Sequence, residues 1–196
     1  MATPKTIGSG EIHAAIDRLA AAISERHAAT QGLLLLGVAN GGVELARRLA
    51  LRLSKGSPGS KSTKASPARP ITSGVLDVSF HRDDIGRHPI PKEFAPTHIP
   101  TDVHGATVIL VDDVLFSGRT VKAALDELFD HGRPTKVELA VLVDRGHRLL
   151  PVAADYIGLT LAADPGKRVV VALDPADPKR DAVSVLPHQK LKPPQP

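Results

Sequence analysis

A mainly parallel α/β fold is predicted for this chain, and three observations predict it. Two short runs, 33–38 (LLLLGV) and 106–111 (ATVILV), are almost wholly apolar, as strands buried on both faces of a parallel sheet must be. Each is closed by a polar, glycine-containing turn and leads into a segment with helical spacing. A third apolar run, 137–143, follows the second of those helical segments, so strands and helices alternate. In such sheets ligands bind beyond the carboxyl ends of the strands, which directs attention to the turns after residues 38 and 111.

Taken in order, Ser9 is placed to cap a helix whose apolar positions Ile12, Ile16, Leu19, Ala20 and Ile23 share one face, with Glu11 in its electropositive first turn. The strand 33–38 ends at Asn40-Gly41-Gly42, and a helix is expected over 43–53. Residues 54–68 (SKGSPGSKSTKASPA) contain no large apolar side chain to offset ordering entropy and read as a flexible insertion. The GSKS within them lacks the glycine that precedes lysine in a phosphate-binding P-loop, and no strand leads into it. Leu76, Val78 and Phe80 alternate with Asp77 and Ser79, which suggests a strand with one buried face. The connection 81–105 then carries prolines at 89, 91, 96 and 100 and reads as a flap loop. After the strand 106–111 a helix over 121–131 presents Val121, Ala124, Leu125 and Leu128, and shorter strand-like runs follow at 156–157 and 169–173. A single domain is expected over 1–186, followed by a loose proline- and lysine-rich tail, 187–196.

Composition narrows the chemistry. The chain has 196 residues, 42% of them hydrophobic, and no apolar run long enough to span a bilayer; with no signal pattern at Met1, a cytoplasmic protein is expected. With no cysteine, thiolate catalysis, disulfides and cysteine-based zinc sites are excluded, leaving oxygen and imidazole chemistry. The histidines, His13, His27 and His131 among them, show no metal-binding spacing. A net charge of +4 would suit a polyanion, yet Lys55, Lys61, Lys64, Arg69, Lys190 and Lys192 lie in segments that read as disordered, and aromatics at 3% argue against base-stacking platforms.

The segment VILVDDVLFSGRT carries the chemistry. Asp112 and Asp113 emerge at the carboxyl end of a buried strand, where carboxylates accept hydrogen bonds from vicinal hydroxyls such as those of a ribose. Four residues later Ser117-Gly118-Arg119-Thr120 opens a helix, whose free N–H groups and dipole favour an anion. A ribose 5-phosphate fits that outline. Paired acids after a strand also hold magnesium in other phosphate-handling folds, and Ser, Gly and Thr at a helix start also serve as caps.

The same segment resembles the signature of type I phosphoribosyltransferases and, among them, is most similar to the PyrR family. Gly132-Arg133-Pro134, the run LAVLVDRGHRLLP at 139–151, ADYIG at 154–158 and FHRDDI at 80–85 resemble PyrR segments in the same order, so the likeness spans nearly the whole chain outside 54–68 and the tail. It implies the type I phosphoribosyltransferase fold, a central sheet flanked by helices with a flap and a small base-binding hood. It implies an enzyme that makes UMP and diphosphate from uracil and 5-phosphoribosyl diphosphate (PRPP) with Mg2+, and a regulator that binds a pyr mRNA leader in a UMP- or UTP-dependent way; a non-catalytic pyrimidine-nucleotide sensor using the same pocket is the alternative. A homodimer or homotetramer is implied as well.

Residue by residue, the resemblance implies that Asp112 and Asp113 read the ribose hydroxyls and that Val114, Leu115, Phe116, Ser117, Gly118, Arg119 and Thr120 wrap the 5-phosphate. Asp113 and Arg82 are the candidate catalytic residues, with no direct protein ligand to the metal. Asn40 and Gly41 stand in the diphosphate loop, where the family's cationic side chain is missing. Arg145, with Val169, stands where the base is read, against the alternative that it pairs with Asp144. Arg18, Arg26, His147 and Arg148 are the candidate RNA contacts, weakened by Asp17 and Ala21 among them on the first helix.

Overall fold

A computed structural model describes residues 6–55, 71–81, 96–164 and 166–187. Arg82, most of the expected flap and insertion, and the tail beyond 187 lie outside the described residues. A short strand β1 (Thr6–Gly8) leads into α1 (Ser9–Arg26); then follow β2 (Leu33–Val38), α2 (Gly41–Lys55), β3 (Ser73–Leu76), β4 (Thr107–Leu115), α3 (Arg119–Asp130), β5 (Lys136–Asp144), β6 (Tyr156–Thr160), β7 (Lys167–Ala172) and β8 (Ala182–Pro187).

Five strands form a wholly parallel sheet in the order β3-β2-β4-β5-β6. Its central strand β4 is apolar on both faces because both faces are covered. Ile109 and Val111 pack with Ile12, Ile16 and Ile23 of α1 and Leu45 and Leu49 of α2, whereas Val108 and Leu110 pack with Val121, Ala124 and Leu128 of α3. Each such large side chain gains about 1.5–3 kcal/mol on leaving water, which fixes the register: a one-residue slip would exchange the two faces. No helix among the described residues is long and apolar enough to cross a membrane.

The remaining strands form a separate antiparallel sheet, β1-β8-β7, the hood. Its apolar side joins the α1/α2 core through Ile7, Val183, Val169 and Val171, in the same cluster as Val114 of β4.

Three expectations are corrected. Ser9 is the first helical residue, not the cap: Gly8, extended and paired with Ala182 of β8, occupies the cap position and contributes no side-chain bond. Pairing of β3 stops at Leu76, because the Asp77 carboxylate accepts hydrogen bonds from the Ser79 N–H (2.9 Å) and hydroxyl (2.6 Å) and turns the chain, leaving Phe80 exposed. The strand expected over 106–111 runs on to Leu115, since Asp112, Val114 and Leu115 all pair with β5. The strand-like run at 169–173 falls in the hood as β7 (Lys167–Ala172), which β1 and β8 complete.

Candidate active site

The acid pair sits on the last, still-paired part of β4. Asp112 is buried, and one of its carboxylate oxygens accepts the Asp113 N–H at 3.0 Å. The Asp113 carboxylate lies directly over the Cα of Gly41: a Cβ on residue 41 would meet it at 2.3–2.6 Å. A Cβ on Gly42 would come within 1.9 Å of the Val111 carbonyl oxygen. The two glycines therefore do more than make a turn; they let the start of α2 press against the end of β4 and bring the turn around Asn40, reached through a cis Ala39–Asn40 peptide, beside the acids. Burial raises the Asp113 pKa against the hydrogen bonds it accepts from backbone N–H groups, so this carboxyl group holds a proton more readily than an ordinary aspartate.

Beyond Leu115 the chain passes through Phe116 and Ser117 to Gly118, whose φ of 92° and contact with Val152, 2.3 Å from where a Cβ would stand, exclude a side chain. Gly118 caps α3 without a side chain, and no acid occupies the first turn, so the positive end of the helix dipole is left uncompensated by a carboxylate. The Ser117 hydroxyl accepts the Arg119 N–H at 3.3 Å, and Thr120 follows in the same first turn. One end of this loop offers carboxylates, the other amides.

The adjacent loop after β5 supports it. Arg148 donates to the Asp144 carboxylate at 2.6 Å and to the carbonyl oxygens of Leu115, Phe116, Gly146 and Val152 at 3.1–3.3 Å. The Ser117 carbonyl accepts the N–H groups of Leu149 and Leu150 at 3.0 Å. Gly146 and His147 both adopt positive φ, 75° and 58°, which folds residues 145–150 back onto 115–118.

Arg145 is unusual. The residue is 4% exposed, and its guanidinium stacks on the Phe116 ring with 3.9 Å to the centroid. Its Nε has no hydrogen-bond partner among the described residues, and Nη2 reaches the Asp164 carbonyl at a long 3.5 Å. Burial accordingly lowers its pKa. The alternative pairing with Asp144 does not form, because Asp144 is taken by Arg148. A buried cation with an unused donor, set against an aromatic face, is chemically able to take a polar acceptor.

The other expected residues fall as follows. Val169 lies half-buried on β7, in the cluster that contains Val114. Arg18 donates to the Gly158 carbonyl of β6 at 2.9 Å, and Arg26 lies over the Tyr156 ring between Glu138 and Asp155. Asp17, expected to repel phosphates, pairs with Arg52 instead. His147 is exposed. Sequence reasoning missed the Phe116–Arg145 stack; no spacing rule announces an aromatic and an arginine twenty-nine residues apart, and only pairing of β4 with β5 brings them together.

These features define a class. A family model for the phosphoribosyl transferase domain matches residues 8–175. Among solved structures, a hypoxanthine-guanine phosphoribosyltransferase from Bacillus anthracis superposes with a TM-score of 0.63 at 20% identity, over 94% of this chain and 100% of that one. The Trypanosoma cruzi hypoxanthine phosphoribosyltransferase in complex with IMP gives 0.64 at 19%, over 95% and 92%. At that identity the likeness is one of fold. Curated relatives are closer in sequence: the bifunctional protein PyrR of Streptomyces coelicolor is 46% identical over 88% of this chain and 84% of its own length. Those of Deinococcus radiodurans (43%; 90% and 92%) and Roseiflexus sp. (40%; 95% and 96%) match over still more. The chain belongs to the PyrR family of phosphoribosyltransferase-domain proteins.

Proposed function

We propose that this protein joins uracil to the ribose 5-phosphate unit of PRPP, releasing diphosphate and forming UMP, and that the nucleotide-bound protein regulates pyrimidine genes through a pyr mRNA leader. The observation that carries the reading is the juxtaposition around one strand end of the Asp112–Asp113 pair, the open start of α3 and the Phe116-stacked Arg145, whose Nε has no partner among the described residues. Those three features match the diol, the 5-phosphate and the carbonyl-bearing ring of one nucleotide.

In this reading Asp112 and Asp113 accept hydrogen bonds from the ribose 2- and 3-hydroxyls, and the amides and hydroxyls of 117–120 bind the 5-phosphate. Phe116 and Val169 flank the pyrimidine, and Arg145 donates to a ring carbonyl. During transfer the bond from the anomeric carbon to the diphosphate oxygen breaks, a bond from that carbon to a uracil nitrogen forms, and the nitrogen's proton leaves. Positive charge grows on the ribose as this happens, and the half-buried Asp113 carboxylate stabilises it. Its raised pKa also suits it to receive the departing proton. Asn40 and the N–H groups at the start of α2 lie beside the diphosphate, without the cationic side chain that other phosphoribosyltransferases place there.

Mg2+ fits this donor set. Two adjacent carboxylates, one of them buried and bonded to the strand's own backbone, suit an ion that keeps water and substrate oxygens as most of its ligands. Bound with PRPP it would neutralise the diphosphate's charge. Assembly as a homodimer or homotetramer, and residence in the cytoplasm, complete the proposal.

The enzymatic half is tested by uracil-dependent diphosphate release from PRPP with Mg2+. Turnover in the wild type, reduced by about a hundredfold or more in Asp113→Asn, is the expected result; no turnover sinks it. The RNA half is tested by retention of a leader hairpin that tightens with UMP and weakens steeply with salt. Retention that ignores either variable contradicts it.

A further inference from the structure

The hood and the rest of the molecule are joined by a buried ionic contact that the proposed chemistry does not use. Asp181, immediately before β8, is 3% exposed, and its carboxylate accepts hydrogen bonds from Arg48 of α2, from His13 Nε2 of α1 at 2.8 Å and from the Asp174 N–H at 2.9 Å. Arg48, 5% exposed, also donates to Glu44 at 2.6 Å and to the Asp174 carbonyl at 2.7 Å. Every donor and acceptor here bridges two elements or tightens one of the bridging ends. Burying such a pair is no better for stability than filling the space with apolar side chains, so its contribution is to geometry.

The geometry leads to the site at both ends. Arg48 lies two turns into α2, the helix whose first residue, Gly41, carries the Asp113 carboxylate against its Cα. Asp181 holds the strand pair β7-β8 at its root, where Ala172 pairs with Ala182, and β7 carries Val169 against the Val114 cluster. Fixing Asp181 to Arg48 therefore sets the distance between the helix beside the diphosphate position and the hood that covers the base.

We propose that Arg48 and Asp181 are positioning residues for nucleotide recognition: the clamp holds the hood in register with α2, so that the base half and the phosphate half of one ligand bind together. This rests on reading the pocket as a ribose-phosphate and pyrimidine site. Breaking the clamp weakens ligands that span both halves and spares those that occupy only the loop 112–120.

The test uses the full chain with Arg48→Met and Asp181→Leu combined, which replaces the pair by apolar side chains of similar volume and removes both charges together. Arg47→Ala, which loses only an exposed contact to Glu44, serves as control. Calorimetry with UMP and with ribose 5-phosphate gives the decisive comparison. The double variant is expected to bind UMP about tenfold or more weakly, with ribose 5-phosphate affinity unchanged and, in turnover, a raised KM for uracil with the KM for PRPP retained. Unchanged UMP binding, or equal losses for both ligands, overturns the clamp. Should the double variant not fold, Asp181→Asn keeps the shape and an acceptor oxygen while removing the charge; a UMP-selective loss supports the proposal and its absence rejects it. A wild type that binds UMP without turning over uracil removes the catalytic reading while leaving the clamp to be decided by the two binding constants. A wild type that binds neither ligand overturns both.

Discussion

Arg148 offers a direct way to separate a structural role from an RNA-binding one. Its guanidinium spends five hydrogen bonds on this molecule, one to the Asp144 carboxylate and four to backbone carbonyls, two of which belong to Leu115 and Phe116 in the phosphate loop. Arg148→Met keeps much of the side-chain volume and removes every donor. The charged contact to Asp144 is worth about 1.5–3 kcal/mol; the carbonyl contacts, at 3.1–3.3 Å, add less. Asp144, with a side chain only 17% exposed, would keep the Gly146 N–H at 2.8 Å as its partner. A loss of about 2–3 kcal/mol in urea unfolding at neutral pH is expected. Burial works against the ionised form of Asp144, but the Arg148 and Gly146 hydrogen bonds outweigh it and hold the pKa below the ordinary 3.8. A depressed carboxylate stabilises the fold above its unfolded pKa and loses that contribution as pH falls through the folded value. The difference between variant and wild type should therefore shrink below about pH 4. Because the freed carbonyls belong to the phosphate loop, UMP affinity measured by calorimetry should fall about tenfold, equivalent to ~1.4 kcal/mol. Unchanged stability and UMP affinity, with RNA retention alone reduced, would refute this reasoning and return Arg148 to an RNA surface.

Three further outcomes follow from the same structure. Arg145→Met removes a buried guanidinium whose Nε is unsatisfied among the described residues and whose one hydrogen bond, to the Asp164 carbonyl, is long, so stability should hold or rise while UMP affinity falls by about tenfold; calorimetry and thermal unfolding together check the opposite signs. Gly42→Ala drives a methyl into the Val111 carbonyl and should abolish soluble, folded protein, seen by circular dichroism, whereas Gly10→Ala, with open space around it, should be neutral. Glu138, fully buried, is opposed by its burial but held at about 2, from 4.5, by hydrogen bonds from Lys136, Tyr156 and His27. Glu138→Gln should thus cost about 3 kcal/mol at pH 7, a difference that fades as pH falls from 4.5 towards 2 in urea titrations.

The central sheet was legible because burial on both faces leaves a mark that needs no tertiary information. Runs such as 33–38 and 137–143 have no polar face, and β2 and β5 coincide with them to within a residue at each end. The acid pair and helix start were legible for a related reason, since a strand end followed by Ser-Gly-Arg-Thr fixes a local geometry. What failed did so where a local side-chain bond or a distant partner overrides the hydrophobic pattern. The alternation from Leu76 to Phe80 looks like a half-buried strand, yet the Asp77 carboxylate captures Ser79 and ends it, a local competition that hydrophobic period cannot report. The hood itself was expected from the resemblance, but its strands β1 and β8 were not: β1 is three residues long and pairs with residues 174 to 178 positions away in sequence, so neither carries a sufficient pattern alone. Arg145 beside Asp144 invited an ion pair, but consecutive residues of a strand end point to opposite sides, and the acid found Arg148 four positions on.

The most direct measurement is a crystal structure of the protein with UMP. The expected result is ribose hydroxyls on the carboxylates of Asp112 and Asp113, the 5-phosphate on the amides of 117–120, and a pyrimidine carbonyl on Arg145 over Phe116. A nucleotide bound with its phosphate away from the start of α3, or with both carboxylates left untouched, would contradict it.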